Sequence, residues 1–328
     1  MATRFRYPTG VRALLVEETA RRRRIESRFV ALLERARFAE VLLPIIDYVE
    51  PYSALVGRDA ARQSYRFVDR EGELVSIRSD FTPMVARALA PALRTDDLPL
   101  RIFYRGDVIR VEATRLGVNR EIFQIGAEII GDDSAEADIE VLLLASSCLA
   151  DFGIRPLVVY NDTSIAAALA ASSDTAGEAI RAALLSKRRA DLESLRTSIE
   201  PAAYSLVTRL ASGVATLDDV AAFAPCVSAA ERLRKIGAEL RAVDSADFVL
   251  HLDDIDAAAA YYTGIRFRIY GDDARTRLAQ GGRYNDLYCR FGTAAPAIGF
   301  TFTIDDVDEN MASAGTSAVE SPAIEGKR

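Results

Sequence analysis

Tryptophan is absent from this 328-residue chain, and histidine occurs once, at His251. Cysteine occurs three times, at Cys148, Cys226 and Cys289, with no CxxC pair. So small a supply of soft ligands and imidazoles encodes neither a zinc site nor a disulfide framework, and it argues against Ser-His or Cys-His catalysis. Long apolar runs are missing too: no stretch reaches the roughly 20 residues that span a bilayer. The first thirty residues, crowded with Arg and Glu, hold no signal-peptide core. A cytoplasmic protein without a membrane partner is expected. Nor is there a surplus of positive charge. The 41 Lys plus Arg against 48 Asp plus Glu leave a net charge of −7, the wrong sign for binding nucleic acid over a whole surface.

What the chain does have is apolar material. Half of it is hydrophobic, enough for a substantial core in one large domain with an insertion or in two medium ones. Between Val16 and Glu40, Ile25, Phe29, Leu32 and Ala36 recur at helical spacing; the run Arg21 to Arg24 at its start is expected to be a solvated helix surface. Val41 to Ile46 reads as a short strand whose proline, Pro44, puts it at an edge or an interface. Ser64 to Thr82 reads as a hairpin turning at Asp69 to Gly72, and Leu100 to Glu112 with Glu121 to Ile130 as a second antiparallel pair. Glu136 to Ala150 has helical composition, Arg155 to Tyr160 is β-branched, and the next 85 or so residues shift to Ala, Leu, Ser, Arg and Glu. Strand-like sequence resumes at Phe248 to Leu252, Tyr261 to Tyr270 and Ala297 to Ile304. This order predicts an α+β fold: an antiparallel sheet flanked by helices, formed by 1–160 and 246–310, with a helical insertion at 161–245 and a disordered tail at 311–328.

Strand alternation assembles a polar patch. Val108, Arg110 and Glu112 share one face, as do Gln124, Gly126 and Glu128, so a guanidinium, an amide and two carboxylates meet over the sheet if the faces coincide. Asp80 and Thr82 at the end of the first hairpin can reach the same rim. Tyr261, Tyr262, Tyr284 and Arg283, beside the glycine pair Gly281 and Gly282, add phenols, a cation and a close backbone approach. Such an inventory suits a free amino acid: carboxylates for the ammonium, an arginine for the carboxylate, phenols and an amide for the side chain. Structural ion pairs on a covered sheet would leave the same residue types.

In this order, the segments resemble the catalytic core of class II histidyl-tRNA synthetases. Phe38 to Pro44 is similar to the dimer-forming first motif. Tyr65 to Gly72 with Ile77 to Thr82 is similar to the hairpin and the segment that binds the amino group, with Asp80 at the position of a glutamate. Ile109-Arg-Val-Glu112 through Phe123-Gln-Ile-Gly-Ala-Glu128 resembles the second motif, and Ala257 to Gly264 with Gln280 to Leu287 resembles the two histidine signatures. The resemblance implies a class II synthetase-like core in which Asp80, Thr82, Arg110, Gln124, Glu128, Tyr261, Tyr262 and Tyr284 bind histidine.

The departures point away from synthesis of an aminoacyl-adenylate. Ala257 to Ala260 stand where the synthetases carry Arg-Gly-Leu-Asp; Ala113, Thr114 and Val118 replace an Arg-Pro pair and an arginine; Asp306 stands where an arginine clamps ATP phosphate. Phosphoryl chemistry depends on positioned positive charge, so each such loss is worth about 10²-fold or more. Only 22 residues follow Asp306, fewer than the roughly 50 of a small domain, so no anticodon-binding domain and no tRNA partner are expected. This combination, together with the run Arg78 to Arg87, resembles the family of ATP phosphoribosyltransferase regulatory subunits. Membership implies no catalytic residue, no cofactor and no metal. It also implies a homodimer assembled with a short-form catalytic subunit into a hetero-octamer, with free histidine as the feedback effector of histidine biosynthesis. The competing expectation is a divergent histidyl-tRNA synthetase-like enzyme that activates an amino acid. A scaffold with a merely structural pocket is the third. His251, on an apolar strand, is expected to be a packed or edge residue.

Overall fold

A computed structural model of the chain describes residues 7–53, 64–111, 119–255, 261–271 and 274–313. Its strands are β1 (Ala39–Glu40), β2 (Ile46–Tyr48), β3 (Arg66–Val68), β4 (Leu74–Ile77), β5 (Leu100–Ile109), β6 (Glu121–Ile130), β7 (Leu157–Asp162), β8 (Asp247–Leu250), β9 (Ile265–Tyr270), β10 (Arg277–Arg283) and β11 (Ala297–Thr303). Eight of them form one sheet in the order β1-β5-β6-β11-β10-β9-β7-β8, and β2-β4-β3 form a separate small one. The inner pairings of the large sheet are antiparallel, as expected, but β1 lies parallel to β5 and β7 parallel to β8. The sheet is therefore mixed at both edges. Parallel neighbours need a long crossover; the small sheet and the helix after it supply one, and a block of helices supplies the other.

Helix α1 (Val16–Arg35) precedes β1, α2 (Thr82–Leu89) follows β4, and α3 (Ala135–Ala150) follows β6. Between β7 and β8 run α4 (Thr163–Ala171), α5 (Gly177–Ser186), α6 (Arg189–Leu195), α7 (Pro201–Ala211), α8 (Leu217–Ala221) and α9 (Val227–Leu240); α10 (Ile304–Ser313) follows β11 directly. Met311 to Ser313 thus close a helix, and residues 314–328 lie outside the described residues.

Two sequence expectations need local correction. Residues 41–45 form no strand: β1 and β2 lie on either side, Leu42 and Ile45 are exposed, and Pro44 has no N–H to give a ladder. The arginine run on α1 is also more than a solvated face. Arg21 pairs with Asp308 at 2.6 Å and Arg22 with Asp305 at 2.5 Å, tying α1 to α10, while Ile25, Phe29 and Leu33 bury the opposite stripe. The hairpin between β3 and β4 turns as its sequence implies. Asp69 accepts the Glu71 and Glu73 N–H groups on one carboxylate oxygen, and Gly72 takes φ +91°, which suits glycine.

Alternation gives the large sheet two unlike faces. Phe103, Ile125, Ala127, Ile129, Phe267, Ile269, Phe300 and Phe302 face α1, α3 and the helical block in one continuous apolar core. On the opposite face a smaller cluster that includes Phe81, Val85, Tyr104, Val108, Tyr284 and Tyr288 packs where α2 covers the sheet. The functional residues lie on that second face.

Candidate functional site

Asp80, Thr82, Arg110, Gln124, Glu128, Tyr261, Tyr262 and Tyr284 all line one cavity on the second face of the sheet. The register explains the convergence. Gly126 lies opposite Tyr104 on β5 and opposite Thr301 on β11, and Glu128 lies opposite Gly299, so Gln124, Gly126 and Glu128 point the same way as Tyr104 and Thr301. On β10, Gln280 pairs with Thr301, which carries the alternation to Tyr284. Asp80 and Thr82 enter from the start of α2.

Glu128 is the centre of the hydrogen-bonding. Thr82 Oγ1 donates to its Oε1 at 3.1 Å and Tyr104 Oη to the same atom at 3.2 Å, while Tyr284 Oη donates to Oε2. Tyr104 Oη also meets Thr301 Oγ1 at 2.8 Å. Two glycines make room for this group: a Cβ on Gly126 would sit 2.4 Å from Tyr104 Oη, and one on Gly299 would overlap the Glu128 carboxylate at 1.5 Å. Burial pushes the Glu128 carboxyl up to about 8, against the pull of its three hydroxyl donors. At neutral pH this acid is therefore held largely in its neutral form. Burial raises the Asp80 carboxyl as well, opposed by the charge of Arg110 and by the backbone N–H of Thr82, which donates to Asp80 Oδ1 at 3.2 Å. Arg110 donates its Nε–H to the Ser79 carbonyl at 3.1 Å. The tyrosines form a wall: Tyr261 lies 4.7 Å from Tyr262 and 5.9 Å, edge-on, from Tyr284.

Arg283 does not supply a cation to this rim. It neighbours Tyr284 in a strand, so its side chain leaves by the other face, where it is 2% exposed and pairs with Asp138 on α3. Glu112 and the replaced positions Ala113, Thr114, Val118 and Ala257 to Ala260 lie outside the described residues. Asp306 is described, in the first turn of α10; burial and the nearby Glu309 and Asp305 push its carboxyl up to about 6, with Arg277 pulling the other way. Tyr104 and Thr301 belong to the cavity's hydrogen-bonding, although no motif in the sequence marks them. Their signal was available, because Tyr104 has the parity of Val108 and Arg110. His251 is exposed beyond the end of β8, with Nδ1 3.7 Å from Asp253. Among the described residues no group of three metal-ligating side chains converges, and no helix is long and apolar enough to cross a membrane.

This mixed sheet with its polar, tyrosine-walled cavity defines a histidyl-tRNA synthetase-like protein, and the family model described as histidyl-tRNA synthetase matches residues 10–307. Among similar proteins, the Variovorax paradoxus ATP phosphoribosyltransferase regulatory subunit is 35% identical, over 87% of this chain and 78% of the relative. Its Stutzerimonas stutzeri namesake is 31% identical, over 92% and 80%. A solved structure of an ATP phosphoribosyltransferase regulatory subunit/histidyl-tRNA synthetase from Bacillus halodurans superposes with a TM-score of 0.82 at 25% identity, covering 94% of this chain and 84% of that one. The chain belongs to the family of ATP phosphoribosyltransferase regulatory subunits.

Proposed function

We propose that this chain is a non-catalytic regulatory subunit that binds free histidine in the cavity, activates a short-form ATP phosphoribosyltransferase catalytic subunit, and conveys feedback inhibition to it. One observation carries the reading: a buried carboxylate, a half-buried one, one guanidinium and three phenols converge on one cavity. Asp80 receives the ammonium of a zwitterion and Arg110 its carboxylate; Glu128, held by Tyr104 and Tyr284, meets the N–H of the imidazole. The acid at Asp306, in place of a phosphate-clamping arginine, supports loss of adenylation. Feedback requires that histidine bind the inhibited assembly more tightly than the active one.

Assembly follows the same reading. Leu42, Ile45, Ile46, Phe67 and Val68 are exposed together around β1 and the small sheet, which supports a homodimer through the first motif inside a hetero-octamer with catalytic subunits. Such an assembly would work in the cytoplasm and without tRNA. The test is reconstitution. The purified chain should give no ATP–pyrophosphate exchange with histidine, yet should raise phosphoribosyl-ATP formation when added to a short-form catalytic subunit, and histidine should reverse the gain. Exchange by the chain alone, or no effect on the catalytic subunit, would overturn the proposal.

A further inference from the structure

Behind the cavity wall, on the other face of the sheet, a fully buried carboxylate is held between two arginines that come from different parts of the chain. Asp138, 0% exposed, accepts the Nε–H of Arg283 on Oδ1 at 2.8 Å and the Nε–H of Arg232 on Oδ2. Arg283 belongs to β10 and Arg232 to α9 of the helical block. Both guanidiniums also close on the backbone that caps α3. Arg283 donates to the carbonyls of Asp132 at 2.9 Å and Ser134 at 3.2 Å; Arg232 donates to those of Asp133 at 3.0 Å and Ser134 at 2.9 Å. The cap of α3 is thus gripped from β10 and from α9 at once.

Arg283 is in turn fixed to the cavity. Its sequence neighbour Tyr284 hydrogen-bonds Glu128, and its other neighbour, Gly282, lies under the Tyr262 ring, where an added Cβ would be 2.8 Å from a ring carbon. The Arg283 carbonyl accepts the Thr263 N–H at 2.8 Å, and its methylenes pack on Gly264. Removing one partner from a buried ion pair strands a charge and is strongly destabilising. Because breaking either contact is costly, a displacement of β10 would carry Asp138 and Arg232 with it.

We propose that Arg283, Asp138 and Arg232 form a rigid linkage through which the state of the cavity reaches α9 and the helical block. The inference rests on the reading of the cavity as an amino-acid site: a ligand that takes over Glu128 releases Tyr284, moves the end of β10, and displaces α9 through the linkage. Arg232 is a positioning residue; it touches no ligand. The test is hydrogen–deuterium exchange on the full chain with free histidine as the probe. In the wild type, exchange slows at 261–264 and 280–285 and also in α9, each by about twofold or more. In Arg232→Met the cavity segments respond as before while the α9 response falls to background, and Arg232→Lys, which keeps the charge, retains it. The unchanged cavity response shows that the variant is folded. An α9 response in Arg232→Met equal to the wild type's, or a wild type in which the cavity responds and α9 does not, overturns the linkage. No response anywhere in the wild type overturns the reading of the cavity itself.

Discussion

The two faces of the eight-stranded sheet are made from the same strands, yet they differ in nearly every physical respect. Apart from the group of Arg283, Asp138 and Arg232, one face is aliphatic and aromatic and is covered by α1, α3 and the helical block. The other collects acids, hydroxyls, two amides and one arginine around a cavity and is covered only in part. The contrast separates two jobs: burial on the first face supplies the stability that lets the second keep the Glu128 carboxyl out of water at a cost. A protein under selection for stability alone would not place Glu128 where burial pushes it up to about 8.

Substitutions should break the two faces in different ways. The largest effect belongs to the apolar face. Phe29, 0% exposed and packed on Phe152 and Phe302 at 4.9 and 4.6 Å, should cost about 3–5 kcal/mol when changed to Ala, read as a lower urea midpoint. Histidine affinity of the folded protein should stay the same. On the polar face, Glu128→Gln acts through pH. The folded-state carboxyl titrates near 8 against an ordinary value of 4.5, so its proton stabilises the native state, fully below the ordinary value and progressively less as pH rises towards 8. Thermal melts of the ligand-free wild type should therefore lose stability between pH 5 and 8, on the order of a few kcal/mol, and Glu128→Gln should remove its share of that slope, leaving the part contributed by other raised carboxyls such as Asp306.

Arg110→Met sharpens the comparison from the other side. The side chain's one described hydrogen bond goes to Ser79, so the urea midpoint should move little, while calorimetric histidine affinity falls about 100-fold with loss of a charge-assisted pair. His251→Ala, at an exposed position outside both faces, should change stability by less than about 0.5 kcal/mol and leave binding unaltered.

Most of this contrast was legible in the sequence because strand alternation is local information. Arg110, Gln124 and Glu128 declare their shared side by spacing alone, and the helical block between Thr163 and Leu240 declares itself by composition. The misreadings came where local rules met tertiary ones. Arg283 adjoins Tyr284 in a signature, yet alternation sends the two to opposite faces, and the partner that explains Arg283 lies 145 positions away at Asp138. The stretch 41–45 is apolar enough for a strand, but Pro44 interrupts it and the pairing fell to residues on either side. The parallel edges could not be read locally, since the register of β1 with β5 and of β7 with β8 depends on what the crossovers pack against. Tyr104 shows its side by the parity of Arg110, but only its neighbours across the sheet, Gly126 and Thr301, bring its hydroxyl into the site.

Titration calorimetry of free histidine into the full-length chain measures most directly whether the polar face holds a ligand. The account predicts saturable heat with one site per chain, abolished in Asp80→Asn, and a proton released on binding below pH 8 that Glu128→Gln does not release. Absence of heat from the folded wild type, or heat that Asp80→Asn leaves unchanged, would contradict it.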